Sequence, residues 1–219
     1  MTACRDLTDI EPTTLQAKGY PSMNARHFRL MVAVVAALTA SACQNAKPPM
    51  QKLPEISFAN LRPFQLDVGQ LEIVSEFASP GRSPHIEHLM PVSPEGAIQR
   101  WAQDRLKPVG RTGSARVVIK DAKVVEVPLS VDKGLTGAFK KEQELRYDAA
   151  LNVAVQILDQ RGMVQAETVA QSTRSRTVAE GLTLNERDRV LYDISESLAK
   201  DIDQQMAQLI QSYLGRWVR

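Results

Sequence analysis

The most regular alternation in the chain runs from Glu144 to Asp159. Leu145, Tyr147, Ala149, Leu151, Val153, Val155 and Ile157 take every second position, and Arg146, Asp148, Asn152 and Gln156 stand between them. A period of two with one apolar side predicts a strand with one buried face and one wet face, as in an antiparallel sheet. Asp159-Gln160-Arg161-Gly162 follows, which is a hairpin signal. The return strand is expected over Met163 to Val178. Val164, Ala166, Thr168 and Ala170 share one of its faces, and Gln165, Glu167 and Gln171 the other.

Weaker patterns lie on either side. Leu66 to Phe77 reads as a first strand, with Leu71, Ile73 and Phe77 on one face. Pro80-Gly81, Pro84 and Pro91 punctuate the loop after it. Ser93-Pro94-Glu95 opens a helix: serine suits the N-cap, proline the first turn, glutamate the positive end of the dipole. Ile98, Trp101, Ala102 and Leu106 form its apolar stripe, and Pro108 and Gly110 close it. Ala115 to Leu129 predicts a strand or a bent pair of strands. Val131 to Lys141 reads as a glycine-bearing loop. Thr183-Leu184-Asn185-Glu186 is a capping box before a helix reaching about Leu214. In that helix Leu191, Ile194, Leu198, Ile202, Met206, Leu209 and Tyr213 recur at steps of three and four. The expected fold is α+β, an antiparallel sheet of about four strands with two helices packed on one face.

One apolar run belongs to no packed element. Arg26, His27 and Arg29 precede the uncharged stretch Leu30 to Leu38, and Thr39-Ala40-Ser41-Ala42 leads to Cys43. A basic start, an apolar core and a small-residue end are the layout of a secretory signal peptide. The run is shorter than the ~20 residues that span a bilayer. Residues 1–22 carry Cys4, Asp6, Asp9 and Glu11 ahead of that basic start, so we expect translation to begin at Met23, the alternative being an authentic long n-region. The segments expected are a start-site extension over 1–22, a signal peptide over 23–42, a tether over 43–62 and a domain over 63–219. Pro48, Pro49 and Pro54 favour an extended, poorly packed backbone in the expected tether.

Composition narrows the possible activities. The net charge is +2, with 27 basic and 25 acidic residues, which is no electrostatic footprint for nucleic acid. The two cysteines are Cys4 and Cys43, so no disulfide framework is available beyond Cys43. His85 and His88 form a His-x-x-His pair around Glu87 in a proline-flanked loop, short of the third ligand and ordered backbone that zinc requires. No Gly-x-Ser-x-Gly elbow stands ready to use either histidine. Gly110-Arg111-Thr112-Gly113-Ser114 lacks the Gly-Lys-Ser/Thr end and following helix of a phosphate loop, and reads as a turn. No metal, cofactor or catalytic residue is expected, and the chain reads as a non-enzyme.

Two features point to binding. Arg174 and Arg176 alternate near the end of a strand, with Arg187 and Arg189 close in sequence. They suit phosphate or acidic headgroups, or else form a charged edge that discourages sheet pairing. Leu135 and Phe139, in the loop Gly134 to Phe139, suit a partner or membrane contact if exposed, or else tuck into the core.

The end of the signal resembles the lipobox of bacterial lipoproteins. Cys43 stands where those proteins carry the lipidated N-terminal cysteine; Ser41 and Ala42 fit the pattern, and Ala40 takes the usual place of leucine. Cleavage by the general signal peptidase would also follow Ala42 and leave Cys43 without lipid. The lipoprotein resemblance implies attachment through several acyl chains on the periplasmic side of the envelope. Gln44, where aspartate would favour the inner membrane, favours the outer one. The order strand, helix, strands, hairpin, long helix resembles the small periplasmic lipoproteins that assist lipopolysaccharide assembly and ABC-type envelope transport. It covers roughly residues 66–215. The resemblance implies a non-enzymatic adaptor with an envelope protein partner. Similar α+β lipoproteins activate cell-wall synthases. A further alternative is a module that holds an acyl chain between helix and sheet.

Overall fold

In the computed structural model, residues 52–129, 143–179 and 181–219 are described. They form β1 (Phe64–Leu66), β2 (Gln70–Ser75), α1 (Pro94–Arg105), β3 (Leu106–Pro108), β4 (Ser114–Asp121), β5 (Val124–Pro128), β6 (Gln143–Leu158), β7 (Val164–Ala179) and α2 (Leu184–Tyr213). Met50–Arg219 is one compact unit, and its hydrophobic core is drawn from within it.

The alternating stretch becomes β6, the spine of a five-stranded sheet. Tyr147, Ala149, Leu151, Val153, Val155 and Ile157 are buried on one face. β7 returns antiparallel beside it, Leu151 facing Ser172 and Val155 facing Thr168. The turn is built by Asp159, whose Oδ1 accepts from the N–H groups of Arg161 (2.8 Å) and Met163 (2.9 Å). Gly162 supplies the positive φ of 78°. On the other side of β6, β4 pairs with its second half and β5 with its first. The step between β4 and β5 is a bend at Ala122-Lys123, next to a register shift between Ile119 and Asp121.

The sheet departs from the expected antiparallel form in one strand. β2 lies parallel to β4, Ile73 facing Val117. The reason is the connection. The chain leaves β2, runs through α1 and comes back to β4, and a crossover of this kind yields parallel neighbours. The sheet is therefore mixed, with five strands where about four are expected. β1 and β3 make a separate parallel pair, because Asp67-Val68-Gly69 breaks what the sequence suggests is a single first strand.

Both helices contribute their buried faces to the core cluster with the apolar face of β6. The Ser93 hydroxyl caps α1 by accepting from Gly96 N–H at 3.1 Å. α2 starts at the capping box: Thr183 Oγ1 accepts from Glu186 N–H, and Glu186 accepts from Thr183 N–H. Leu191, Ile194, Leu198, Ile202, Met206 and Ile210 are buried against the sheet, while Tyr213 stays 66% exposed. Each such aliphatic side chain stabilises the fold by roughly 2 kcal/mol.

A buried polar knot ties the helices to the start of the domain. Asp203 Oδ1 accepts from Arg105 Nε at 2.6 Å and from Trp101 Nε1 at 2.8 Å. Arg105 also donates to the Arg62 carbonyl and lies 4.6 Å from the Phe64 ring centroid. Packing begins earlier than the tether boundary at 62. Ile56 and Phe58 are buried, and Phe58 N–H donates to Asp104 Oδ2 at 2.8 Å.

Candidate functional site

β7 is an edge strand; in the described residues its only strand partner is β6. α2 lies along it. Arg174 and Arg176 are two positions apart and face Ala149 and Tyr147 across the ladder. They therefore share the helix side of the sheet with the core residues. This brings both into one groove of about 160 Å³, with Val190, Asp193, Ile194 and Ser197 of α2 opposite.

The charges there are largely spent on the fold. Arg174 is ion-paired with Asp201, whose Oδ2 also accepts from Ser172 Oγ at 2.6 Å. Arg189 pairs with Asp193 at 3.0 Å, one turn along α2, and stands 5.8 Å from the Tyr192 ring centroid. Arg187 reaches across the sheet. Its Nη2 lies 3.2 Å from Glu126 Oε2, and its Nε donates to Tyr147 Oη at 3.2 Å. Glu126, Tyr147 and Arg176 form one cross-strand row on β5, β6 and β7. Burial raises the Tyr147 hydroxyl above its ordinary pKa, and the Arg187 guanidinium works against that rise. Burial likewise raises Tyr192, with the Glu196 charge adding to it. The Arg176 side chain is exposed and, among the described residues, makes no hydrogen bond or ion pair. It is the cation left available at this groove, suited to a carboxylate or phosphate of a partner.

The strand edge is guarded from the side. The Gln205 amide bonds both backbone groups of Gln171, accepting from its N–H at 3.4 Å and donating to its carbonyl at 2.9 Å. A side chain thus occupies positions that another strand would use.

The other candidates fall elsewhere. Glu87, between the two histidines, is buried and fastens its loop to β5. It accepts from Val124 N–H at 2.7 Å and Ser79 Oγ at 2.8 Å, with His85 Nδ1 at 3.2 Å. Burial alone would raise its pKa; these hydrogen bonds outweigh burial and hold it below the ordinary glutamate value. His88 is exposed. Among the described residues no group of three or more His, Cys, Asp and Glu is placed to hold a metal. Gly110 to Ser114 forms the turn between β3 and β4 and runs into a strand. Leu135, Phe139 and Cys43 lie outside the described residues.

Sequence spacing placed Arg174 and Arg176 on one face. It carried no signal for the contacts of Glu126, Tyr147, Asp201 or Gln205 around the groove, which are set by strand register and the line of α2.

No protein-family model matches this sequence, and no curated protein matches it. Solved structures resemble it loosely. A minor lipoprotein from Acinetobacter baumannii aligns at 14% identity over 67% of this chain and 93% of its own, with a TM-score of 0.34. A neuraminyllactose-binding hemagglutinin homolog from Helicobacter pylori aligns at 7% identity over 70% of this chain and 89% of its own, TM-score 0.38. Rare lipoprotein B from Shewanella oneidensis aligns at 15% identity over 64% and 95%, TM-score 0.32. Likenesses this loose do not bear on function.

Proposed function

We propose that this chain is a non-enzymatic lipoprotein of the bacterial envelope. Acyl chains on Cys43 hold it on the periplasmic side, at the outer membrane. Its domain acts as an adaptor or auxiliary subunit of a membrane machine that moves or assembles lipid or polysaccharide. The observation that carries the reading is the basic, apolar and small-residue run, laid out as a signal peptide is, that ends directly at Cys43, followed by a proline-bearing stretch and a compact α+β unit. A single acyl chain binds with K of only ~10⁴ M⁻¹, so lasting attachment requires the several chains that the lipobox resemblance implies.

The partner surface we assign is the groove between β7 and α2, with Arg176 as its available cation. The space between α2 and the sheet is filled by the protein's own side chains, Leu198, Ile202 and Met206 at 0% exposure. That weighs against the rival reading of an acyl chain carried there.

The test is a photoreactive amino acid placed at position 176 in cells, with one at Lys200, on exposed α2 surface, as the control. The reading expects an adduct to one envelope protein from position 176 and none from position 200. No adduct at 176, or lipid co-purifying in native mass spectrometry, would count against it.

A further inference from the structure

The end of the sheet marked by the β6–β7 hairpin carries a second surface, separate from the groove. Three loops meet there: Asp67 to Gly69, Gly110 to Gly113, and the hairpin Asp159 to Met163. The C-terminal segment fastens them. Asp67 N–H donates to the Trp217 carbonyl at 2.7 Å, and Arg219 N–H to the Gln65 carbonyl at 2.9 Å. The packing is tight enough to require glycine at two positions. A Cβ on Gly110 would stand 2.5 Å from Asp67 backbone, and one on Gly113 would stand 2.5 Å from the Leu158 carbonyl oxygen, where φ is also +70°. The loops are thus held in place before any ligand arrives.

Two clefts, of about 450 and 530 Å³, flank the shared ridge of Thr112, Gly113, Asp159 and Gln160. Arg161 and Arg216 line one, and Arg111 lines the other. All three are exposed. Of the carboxylates lining the clefts, Asp67 and Glu72 are ion-paired, Glu72 with Arg116 at 2.9 Å, and Asp159 bonds only neutral donors. Asp67 pairs with Arg219 at 2.6 Å. Asp159 is held by two turn N–H groups and by Gln165 Nε2 at 3.1 Å. Among the described residues, Arg111, Arg161 and Arg216 are left without a carboxylate partner, and Arg216 lies 5.5 Å from the Trp217 ring centroid. Beside them, at the hairpin tip, Met163 and Val164 are 53% and 49% exposed, and Val109 is 40% exposed.

We infer that this end of the domain rests on an anionic bilayer surface, the three arginines on lipid phosphates and the hairpin tip in the headgroup region. Basic residues beside exposed apolar ones are what such a surface selects, and Trp217, half-buried against the core, stands next to Arg216. A soluble polyanion would use the arginines and have no use for Met163 and Val164. The contact rests on this surface's own charge and does not need acylation at Cys43, so it stands or falls separately from the adaptor reading.

The experiment uses residues 50–219, which carry no acylation site, in flotation with two kinds of vesicle. One is an equal mixture of phosphatidylglycerol and phosphatidylcholine, the other phosphatidylcholine alone. Binding is expected to the mixed vesicles, weakening as salt rises. Each arginine near such a surface is worth roughly fivefold, so R111A/R161A/R216A should weaken binding about a hundredfold. Arg82→Ala, which removes one exposed charge from the loop beside β5, should leave it unchanged. Equal binding to both vesicles would overturn the inference. So would an unaltered triple variant, or complete displacement by free glycerol phosphate, which would mark a small-anion site instead.

Discussion

Asp203→Ala should be among the most damaging single changes in the domain. The Arg105 and Asp203 side chains are 7% and 14% exposed, so their ion pair is largely withdrawn from water. Removing the carboxylate strands a buried guanidinium and leaves the Trp101 indole N–H without its acceptor. Breaking a buried pair by removing one partner costs about 3–5 kcal/mol. Domains of this size are stable by only about 5–15 kcal/mol in total. With a urea slope of about 2 kcal/mol/M, the midpoint should fall by roughly 2 M. Arg105→Ala should cost a similar amount, since it also removes the guanidinium from the Phe64 ring. The double change R105M/D203L replaces both charges with apolar groups of similar size and should recover much of the loss, because no charge is then stranded, while remaining about 1–3 kcal/mol below the parent for the Trp101 N–H that still lacks its acceptor. The assay is equilibrium urea unfolding of residues 50–219. A loss below about 1 kcal/mol for Asp203→Ala would mean that the pair behaves like a surface bridge, and the reasoning would be refuted. A double variant as weak as the singles would show that side-chain shape, not charge, is what the site requires.

The same packing sets three further outcomes. The Glu87 carboxylate has its pKa depressed in the folded state, so its contribution to stability is complete above the unfolded value of roughly 4.3 and is lost as pH falls through the lower folded one. Glu87→Gln should therefore flatten the acid side of the stability profile, read by thermal melts from neutral pH downward; an unchanged acid slope would contradict this. Leu198→Ala, at 0% exposure beneath α2, should cost about 2–5 kcal/mol in the same urea assay. Gln205→Ala frees the Gln171 backbone at the edge of β7 and should increase concentration-dependent association in light scattering, with a stability loss of only about 1 kcal/mol. A strictly monomeric Gln205→Ala variant would show that the edge is protected by something else.

How much of the fold was legible in the sequence depended on how local the cause was. β6 declared itself because seven apolar residues alternate without a break, and the hairpin because Asp159 and Gly162 satisfy a turn on their own. The capping box at Thr183 and Glu186 is equally local, and α2 begins where it says. The parallel pairing of β2 with β4 was not visible. It depends on how the chain crosses through α1, and Leu71 and Ile73 alternate in the same way in either orientation. Val124 to Pro128 gave no sign of which half of β6 it would take, since that is set by the bend at Ala122-Lys123. The groove was half legible. Alternation put Arg174 and Arg176 on one face, but only register and the line of α2 decide that Arg174 is bound to Asp201 and Arg176 is not.

Attachment of the domain to the membrane through Cys43 is tested most directly by the intact mass of the mature protein purified from membranes. The expected result is a chain that begins at Cys43 and carries the added mass of several acyl chains on that residue. A mature chain that begins at Cys43 with an unmodified thiol, or one that retains Met23 to Ala42, would contradict it.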